Sequence, residues 1–228
     1  YLSIYMQVVR GASPTAAGLQ LLPLMVGLLF TSILSGRLIT RTGKYKIFPI
    51  IGTGLATIGL LMLSRVDQFT SLWYLSAAML ILGAGLGNVM QVLIIAVQNN
   101  VEQRQLGAAT STSTFFRSIG GSFGTAVFGA VWTAQLAAQL ALELPGVPLV
   151  GANGGELTSS ISNITALPPD VQDHVLTAMS HAIDNTFLFA VPFMAFAFVL
   201  SFFLKEVPLR KRQDVADSLA DDAAVPME

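Results

Sequence analysis

The chain has 228 residues, of which 53% are hydrophobic and only 11% are charged, and its formal net charge at pH 7 is −1. A soluble domain is roughly one quarter charged, so a chain this poor in charge could not cover a water-exposed surface, and we expect it to lie in a membrane. The absence of cysteine excludes a disulfide framework, a thiolate metal site and a cysteine nucleophile. The small net charge gives no indication of a nucleic-acid partner.

The first nine residues are largely apolar, but they are too few to cross a membrane. As a helix they reach about 14 Å, whereas the hydrocarbon core of a bilayer is ~30 Å thick. No basic region precedes them, as a signal peptide requires. We therefore interpret residues 1–10 as the end of a truncated transmembrane helix whose remainder lies upstream.

Five longer apolar runs follow within residues 11–204, and each is predicted to be a complete transmembrane helix. Ser13 and Pro14 are typical of a helix start, because Ser caps free N–H groups and Pro lacks one. Pro23 and Pro192 lie inside spans, which membrane helices tolerate, and they are expected to kink them. The predicted spans cover residues 16–38, 47–63, 72–97, 108–134 and 182–204.

Two segments outside the predicted spans are rich in loop-forming residues. Residues 137–175 contain several glycines and prolines and are predicted to form one long loop. The charged tail, residues 205–228, is predicted to be disordered.

Lysine and arginine are distributed unequally between the two predicted membrane faces. One face carries only Arg10 and Arg65. Because cytoplasmic loops carry an excess of Lys and Arg, the other face is predicted to be cytoplasmic, the C-terminus to lie inside and the loop 137–175 outside. The cations of that other face are Arg37, Arg41, Lys44, Lys46, Arg104, Lys205, Arg210, Lys211 and Arg212.

The loop from Gly36 to Lys46 resembles the G-x-L-x-D-R-x-G-R-K loop of the major facilitator superfamily, which joins the second and third helices of each six-helix half. Thr40 stands where the family has an acidic residue, a departure that fits the C-terminal half better. Segments 5–14, 17–23, 83–98 and 106–124 are similar, in order and spacing, to fourteen-helix drug:proton antiporters of the EmrB/QacA type. The chain is thus expected to be all-α: a C-terminal six-helix half whose first helix is truncated, with five complete transmembrane helices.

This resemblance implies a transporter in the bacterial inner membrane that exports drugs or other small molecules by alternating access, driven by protons. Its partners would be the missing N-terminal half, the substrate, protons and the lipid bilayer, and the fragment alone is not expected to transport. No catalytic constellation is visible, so we expect no enzyme, and no cofactor or metal is implied. The alternatives are a major facilitator transporter of another small metabolite, or a non-transporting scaffold or degenerate fragment.

The resemblance also implies roles for charged residues. Gly36, Arg41, Gly43 and Lys44 would form a cytoplasmic gating loop, although these cations could equally serve only to set topology. Arg117 is the one charge well inside a predicted span. Because a charge at membrane depth is costly, we expect it to have a structural or gating role, with snorkelling to the headgroups as the alternative.

Small and polar residues complete the candidate set. Glycines four apart let membrane helices approach closely, so Gly83, Gly87, Gly120, Gly121 and Gly124 are predicted to pack against neighbouring helices. The polar side chains within the third span are predicted either to line the substrate cavity or to form hydrogen bonds between helices. They are Asn88, Gln91 and Gln98.

Acidic residues are missing from the centres of the predicted spans. We therefore expect the proton-coupling carboxylate in the N-terminal half, rather than at a membrane-interface residue such as Asp184. His174, His181 and Asp184 lie near the outer start of the last span in a spacing that suits no metal motif, and we expect an exposed polar helix start there.

Overall fold

The computed structural model describes residues 1–67, 69–99, 101–143 and 168–204, and all regular structure in these ranges is helical. Helix α1 (Leu2–Ile4) continues into one π-helical turn (Tyr5–Val9), and a 3₁₀ turn (Gln103–Gln105) precedes α6. The other helices are α2 (Pro14–Gln20), α3 (Leu22–Thr42), α4 (Ile47–Leu63), α5 (Leu72–Asn99), α6 (Leu106–Glu143) and α7 (Pro169–Phe202).

Most of these helices have the length and apolar character of membrane spans. In the described ranges, four helical segments are long and apolar enough to cross a bilayer: Pro14–Thr42, Leu72–Asn99, Gln103–Glu143 and Val171–Phe202. Helix α4 has 17 residues, which is at the short end of the spanning range, and its bounds coincide with the predicted span 47–63. The chain is therefore an all-α membrane protein, as its composition predicted.

The predicted bounds of the long loop, residues 137–175, are wrong at both ends. Helix α6 continues to Glu143, and α7 begins at Pro169. Alanine, leucine, glutamine and glutamate, which make up residues 137–143, are strong helix formers, and Pro169 suits a first helical position. The remainder of that loop, residues 144–167, and the predicted disordered tail, residues 205–228, lie outside the described residues.

The two prolines expected to kink spans have different effects on the backbone. The helix is interrupted at Leu21, two residues before Pro23, and α3 begins at Leu22. Helix α7 continues through Pro192. At the start of α2, the Ser13 hydroxyl accepts a hydrogen bond from the Ala16 backbone N–H at 3.3 Å.

Helix α5 is the centre of the bundle. It packs extensively against α3 on one side and α4 on the other, while α7 packs against α4 and α6. Contact between α5 and α6 is slight. The spans thus form an open row in the order α3, α5, α4, α7 and α6, with α3 and α6 at its two ends.

Glycines bring the backbones of α3, α4 and α5 into direct contact. A Cβ atom on Gly85 would lie 2.6 Å from the Gly52 carbonyl oxygen of α4. A Cβ atom on Gly83 or Gly87 would overlap a carbonyl oxygen of α3, that of Leu24 or Leu28 respectively. Since no side chain fits at these positions, the glycine residues determine how closely the three helices approach.

We expect Gly85→Ala to lower the thermal midpoint of unfolding in detergent, because the added methyl group must push α4 and α5 apart. Overpacking of this kind costs about 1–3 kcal/mol. Gly107→Ala is the matched control, since nothing lies within 4 Å of a Cβ atom there, and its midpoint should stay close to that of the wild type. Equal midpoints for the two variants would contradict close packing at Gly85.

Candidate functional site

The predicted gating loop is a tight turn at the end of α3. Gly43 adopts a left-handed conformation with φ +71°, and its N–H donates to the Ile39 carbonyl at 2.8 Å. The Thr42 hydroxyl donates to the Leu38 carbonyl at 2.8 Å. The chain therefore ends α3 with a glycine cap, and only a residue that tolerates positive φ fits at position 43.

Tyr45 holds this loop against the helices. Its side chain is fully buried and packs with Ile39 of α3 and with Val92 and Ala96 of α5. Sequence reasoning missed this residue, although an aromatic residue between two lysines was a signal that one side of the loop is buried. The turn is therefore anchored to the α3–α5 interface and has a defined shape.

The cations of the loop face outward. Arg41 and Lys44 are exposed, and their side chains form no hydrogen bond or ion pair with the described residues. The Thr40 hydroxyl donates to the Gly36 and Arg37 carbonyls, at 3.1 and 2.9 Å. The turn thus presents cations, with no acidic residue beside them in the loop, to whatever lies next to this end of the bundle.

A recess of about 460 Å³ opens beside the loop, between α3 and α5. Gly36 and Gln91 are neighbours in this recess, since a Cβ atom on Gly36 would lie in ordinary contact with Gln91 Cγ, at 3.9 Å. The lining is mixed, with one cation and several hydroxyl and amide groups among apolar side chains. It consists of Ser32, Ile33, Gly36, Arg37, Thr40, Gln91 and Ile95.

The three polar residues predicted to line a cavity do not share one surface. Gln91 lines the recess, whereas Asn88 is buried against α4 and donates to the Ala84 carbonyl at 3.0 Å. Gln98 is exposed near the end of α5. Asn88 therefore does not line the recess, and its hydrogen bond to Ala84 lies within α5 and is not the expected hydrogen bond between helices.

The predicted features of α6 have no neighbour in the described chain. Arg117 is exposed and forms no hydrogen bond or ion pair with the described residues. Nothing described lies within 4 Å of a Cβ atom on Gly120, Gly121 or Gly124. The close helix packing predicted for these three glycines is therefore not found within the described chain, unlike that of Gly83 and Gly87.

The polar residues of α7 differ in their surroundings. His174 is exposed and lies 3.0 Å from the Glu143 carboxylate of α6, and His181 is also exposed. Asp184 is partly buried, and its Oδ1 atom is buried without a hydrogen-bond partner. The expected exposed helix start is therefore wrong for Asp184, because α7 begins well before it. The described residues contain no cluster of three potential metal ligands.

Comparison with known proteins gives consistent matches. The family model of the Major Facilitator Superfamily matches residues 1–125. An uncharacterised MFS-type transporter of Mycobacterium tuberculosis is 40% identical over 226 residues, which cover 99% of this chain and 32% of the relative. The multidrug transporter protein MdtP of Bacillus subtilis is 29% identical over 255 residues, which cover all of this chain and 46% of the relative.

A third relative matches less of the chain. The tetracycline resistance determinant of Streptomyces rimosus is 35% identical over 140 residues, which cover 61% of this chain and 40% of the relative. The chain thus spans between about a third and a half of the length of these curated relatives.

Substitution of Gly43 should change the conformation of the gating loop without changing its charge. Gly43→Val forces a β-branched residue into the left-handed region at a cost of about 1–2 kcal/mol, which should loosen the turn and speed tryptic cleavage after Arg41 and Lys44. Gly43→Asn, whose side chain tolerates this region, is the control and should be cleaved nearly as slowly as the wild type. Equal cleavage rates for the two variants would show that the turn is not held in this conformation.

Proposed function

Because the chain belongs to the major facilitator superfamily, we propose that it is the C-terminal six-helix half of a fourteen-helix drug:proton antiporter of the EmrB/QacA type. The whole protein exports small molecules across a bacterial inner membrane by alternating access. Relatives named as a multidrug transporter and a tetracycline resistance determinant support the substrate class. The partial coverage of the relatives supports the assignment to one half.

The open row of helices is the observation that carries this proposal. Helices α3 and α6 end the row, and both expose large apolar side chains, such as Phe30 and Phe123 at 66% and 70%. A complete bundle would cover such faces on all but its lipid side. The row therefore suits one wall of a substrate cavity whose other wall belongs to the second half.

A helix preceding Tyr1 is proposed to cover part of α6. The Tyr1 ring lies 5.8 Å from that of Trp132, centroid to centroid, and a Cβ atom on Gly129 would lie 3.6 Å from the Tyr1 hydroxyl. Thr125 and Gly121 continue the same small-residue stripe toward the start of α6. A helix entering at Tyr1 would extend along this stripe.

The gating role of the basic turn also belongs to this proposal. Unpaired cations at the cytoplasmic end of α3 can attract acidic groups or helix C-termini of the second half in one state and release them in the other. The anchored turn supports such a role, because a fixed loop holds its charges in a defined position. The cytoplasmic position of this end rests on the positive-inside distribution of Lys and Arg.

Proteoliposomes containing the full-length protein should accumulate a cationic dye against its gradient when an outward-directed proton gradient (acidic lumen) is imposed, and a protonophore should abolish this accumulation. In the same assay Arg41→Ala should slow transport, because it removes a gating cation. Normal transport by Arg41→Ala would contradict the gating role alone. Dye movement that does not depend on the proton gradient would contradict antiport. If no tested drug is transported, the result would favour a transporter of another metabolite or a non-transporting scaffold.

Cysteine labelling can test the proposed covering of α6. This chain has no cysteine of its own, and any cysteine elsewhere in the full-length protein is first replaced by serine. In full-length protein Gly121→Cys should react slowly with a membrane-permeant maleimide, and in the present chain alone it should react fast. Phe123→Cys lies at the same depth on another face of α6 and should react at similar rates in both. Equal reactivity of Gly121→Cys in the two proteins would contradict a covering helix.

A further inference from the structure

A group of polar side chains lies at the end of the bundle opposite the basic turn. It brings together the π-helical turn, the loop between α4 and α5, and the middle of α7. We call it the outer polar cluster, and its members are Tyr5, Arg10, Asp67, Thr70, Ser180 and Asp184.

Hydrogen bonds join most of this cluster. The Tyr5 hydroxyl donates to the Asp67 backbone carbonyl at 2.7 Å, and Arg10 Nη1 donates to the Thr70 carbonyl at 2.5 Å. The Asp67 backbone N–H donates to the Thr70 hydroxyl at 2.7 Å, and the Ser180 hydroxyl donates to the Val66 carbonyl at 3.4 Å. The first segment of the chain and α7 are therefore both tied to the α4–α5 loop.

Asp184 is the member whose bonding is incomplete. Its Oδ1 atom is buried and has no hydrogen-bond partner, and the carboxylate forms no ion pair with the described residues. Among the described residues, the Val66 backbone is the group beside the carboxylate that favours its ionised form. A buried acceptor without a donor is unfavourable, and more so when it is charged, so the ionised carboxylate is poorly compensated at this position.

The charged groups around Asp184 do not compensate the charge of its ionised carboxylate. Arg10 is engaged with Tyr5 and Thr70, and Asp67 contributes a second negative charge nearby. Helix α4, which packs against α7, carries no ionisable side chain. His181 on α7 is exposed. The remaining ionisable residues of the two helices are Arg117 and Glu143 on α6 and Asp170, Asp173 and His174 on α7. Binding of one proton would neutralise the charge that the cluster leaves uncompensated.

The position of Asp184 along α7 suits exchange with water. About 20 helical residues cross the hydrocarbon core, and counted back from Phe202 these reach close to Asp184. The carboxylate then lies near the proposed outer boundary of the membrane, beside the exposed Asp67. A proton could therefore arrive from the outer aqueous phase without crossing the bilayer.

We propose that Asp184 is a proton-binding site of this half. Its carboxylate takes a proton from the outer aqueous phase and releases the proton to that phase as the outer polar cluster rearranges. The identity of the outer side and the use of the proton rest on the proposed function, whereas proton binding itself does not. The proton adds to one carboxylate oxygen and leaves from it, with no other bond formed or broken. The proposal differs from the expectation that the proton-coupling carboxylate lies in the N-terminal half.

Infrared difference spectroscopy of the full-length protein, titrated over about pH 5 to 9, tests the proposal directly through the C=O stretch of protonated carboxyl groups. The wild type should show a titrating band that is lost in Asp184→Asn. Asp173→Asn, which changes an exposed carboxylate on the same helix, should keep the band. In Asp67→Asn the midpoint should move to lower pH, because a neighbouring negative charge that favours protonation is gone.

The outcomes separate this inference from the transport proposal. A spectrum of Asp184→Asn identical to that of the wild type, or no titrating band in the wild type, overturns the proton site even if transport is normal. A titrating band that Asp184→Asn removes supports the site even if no drug is transported. If Asp184→Asn fails to fold, Asp184→Glu takes its place as the test. Glutamate keeps a carboxyl group, so the titrating band should persist in this variant. Loss of that band in folded Asp184→Glu would count against the site.

Discussion

The direct contact of backbones around α5 is the constraint on which the other features depend. Lipid tails are as apolar as leucine, so helices in a bilayer associate through close packing and not through the hydrophobic effect. Gly85 faces α4, whereas Gly83 and Gly87 face α3. Because each contact is between backbones, the three helices have little freedom to shift relative to one another. The positions of the recess, the basic turn and the α4–α5 loop are therefore set by this packing.

The two ends of this helix core are held by different interactions. At one end a single buried aromatic ring, Tyr45, fastens the basic turn to α3 and α5. At the other end, hydrogen bonds from Tyr5 and Arg10 fasten the first segment to the α4–α5 loop. The cations of the turn, Arg41 and Lys44, are exposed, whereas Arg10 of the outer polar cluster is hydrogen-bonded within the bundle.

Helices α6 and α7 extend beyond what a bilayer requires. Helix α6 has 38 residues and α7 has 34, whereas about 20 cross the hydrocarbon core. Their extra turns are joined by the His174–Glu143 contact, and the Asn185–Gln135 hydrogen bond at 3.3 Å joins the two helices close to these turns. The α7 portion presents Ser180 to the α4–α5 loop, so the length of α7 beyond the hydrocarbon core helps to build the outer polar cluster.

The sequence by itself determined that the chain is a bundle of membrane helices and where most of them begin and end. Backbone groups in lipid must bond within their own helix, so apolar runs such as residues 47–63 correspond directly to structure. Hydropathy carries no such information where a helix leaves the membrane, which is why residues 137–143 and 169–175 were assigned to a loop. The spacing of Gly83 and Gly87 indicated one packed face of α5, but it could not indicate that Gly85 packs on a second.

Only the tertiary structure decided which polar residues are buried and which small residues have neighbours. Ser180 and Val66 are 114 positions apart in the chain, and no local pattern could place Asp184 beside that contact. Gly120 and Gly124 of α6 are four residues apart, as Gly83 and Gly87 of α5 are, and yet nothing described lies within 4 Å of a Cβ atom on either. Spacing reports only which residues share a helix face, whereas burial depends on what another part of the molecule places against that face.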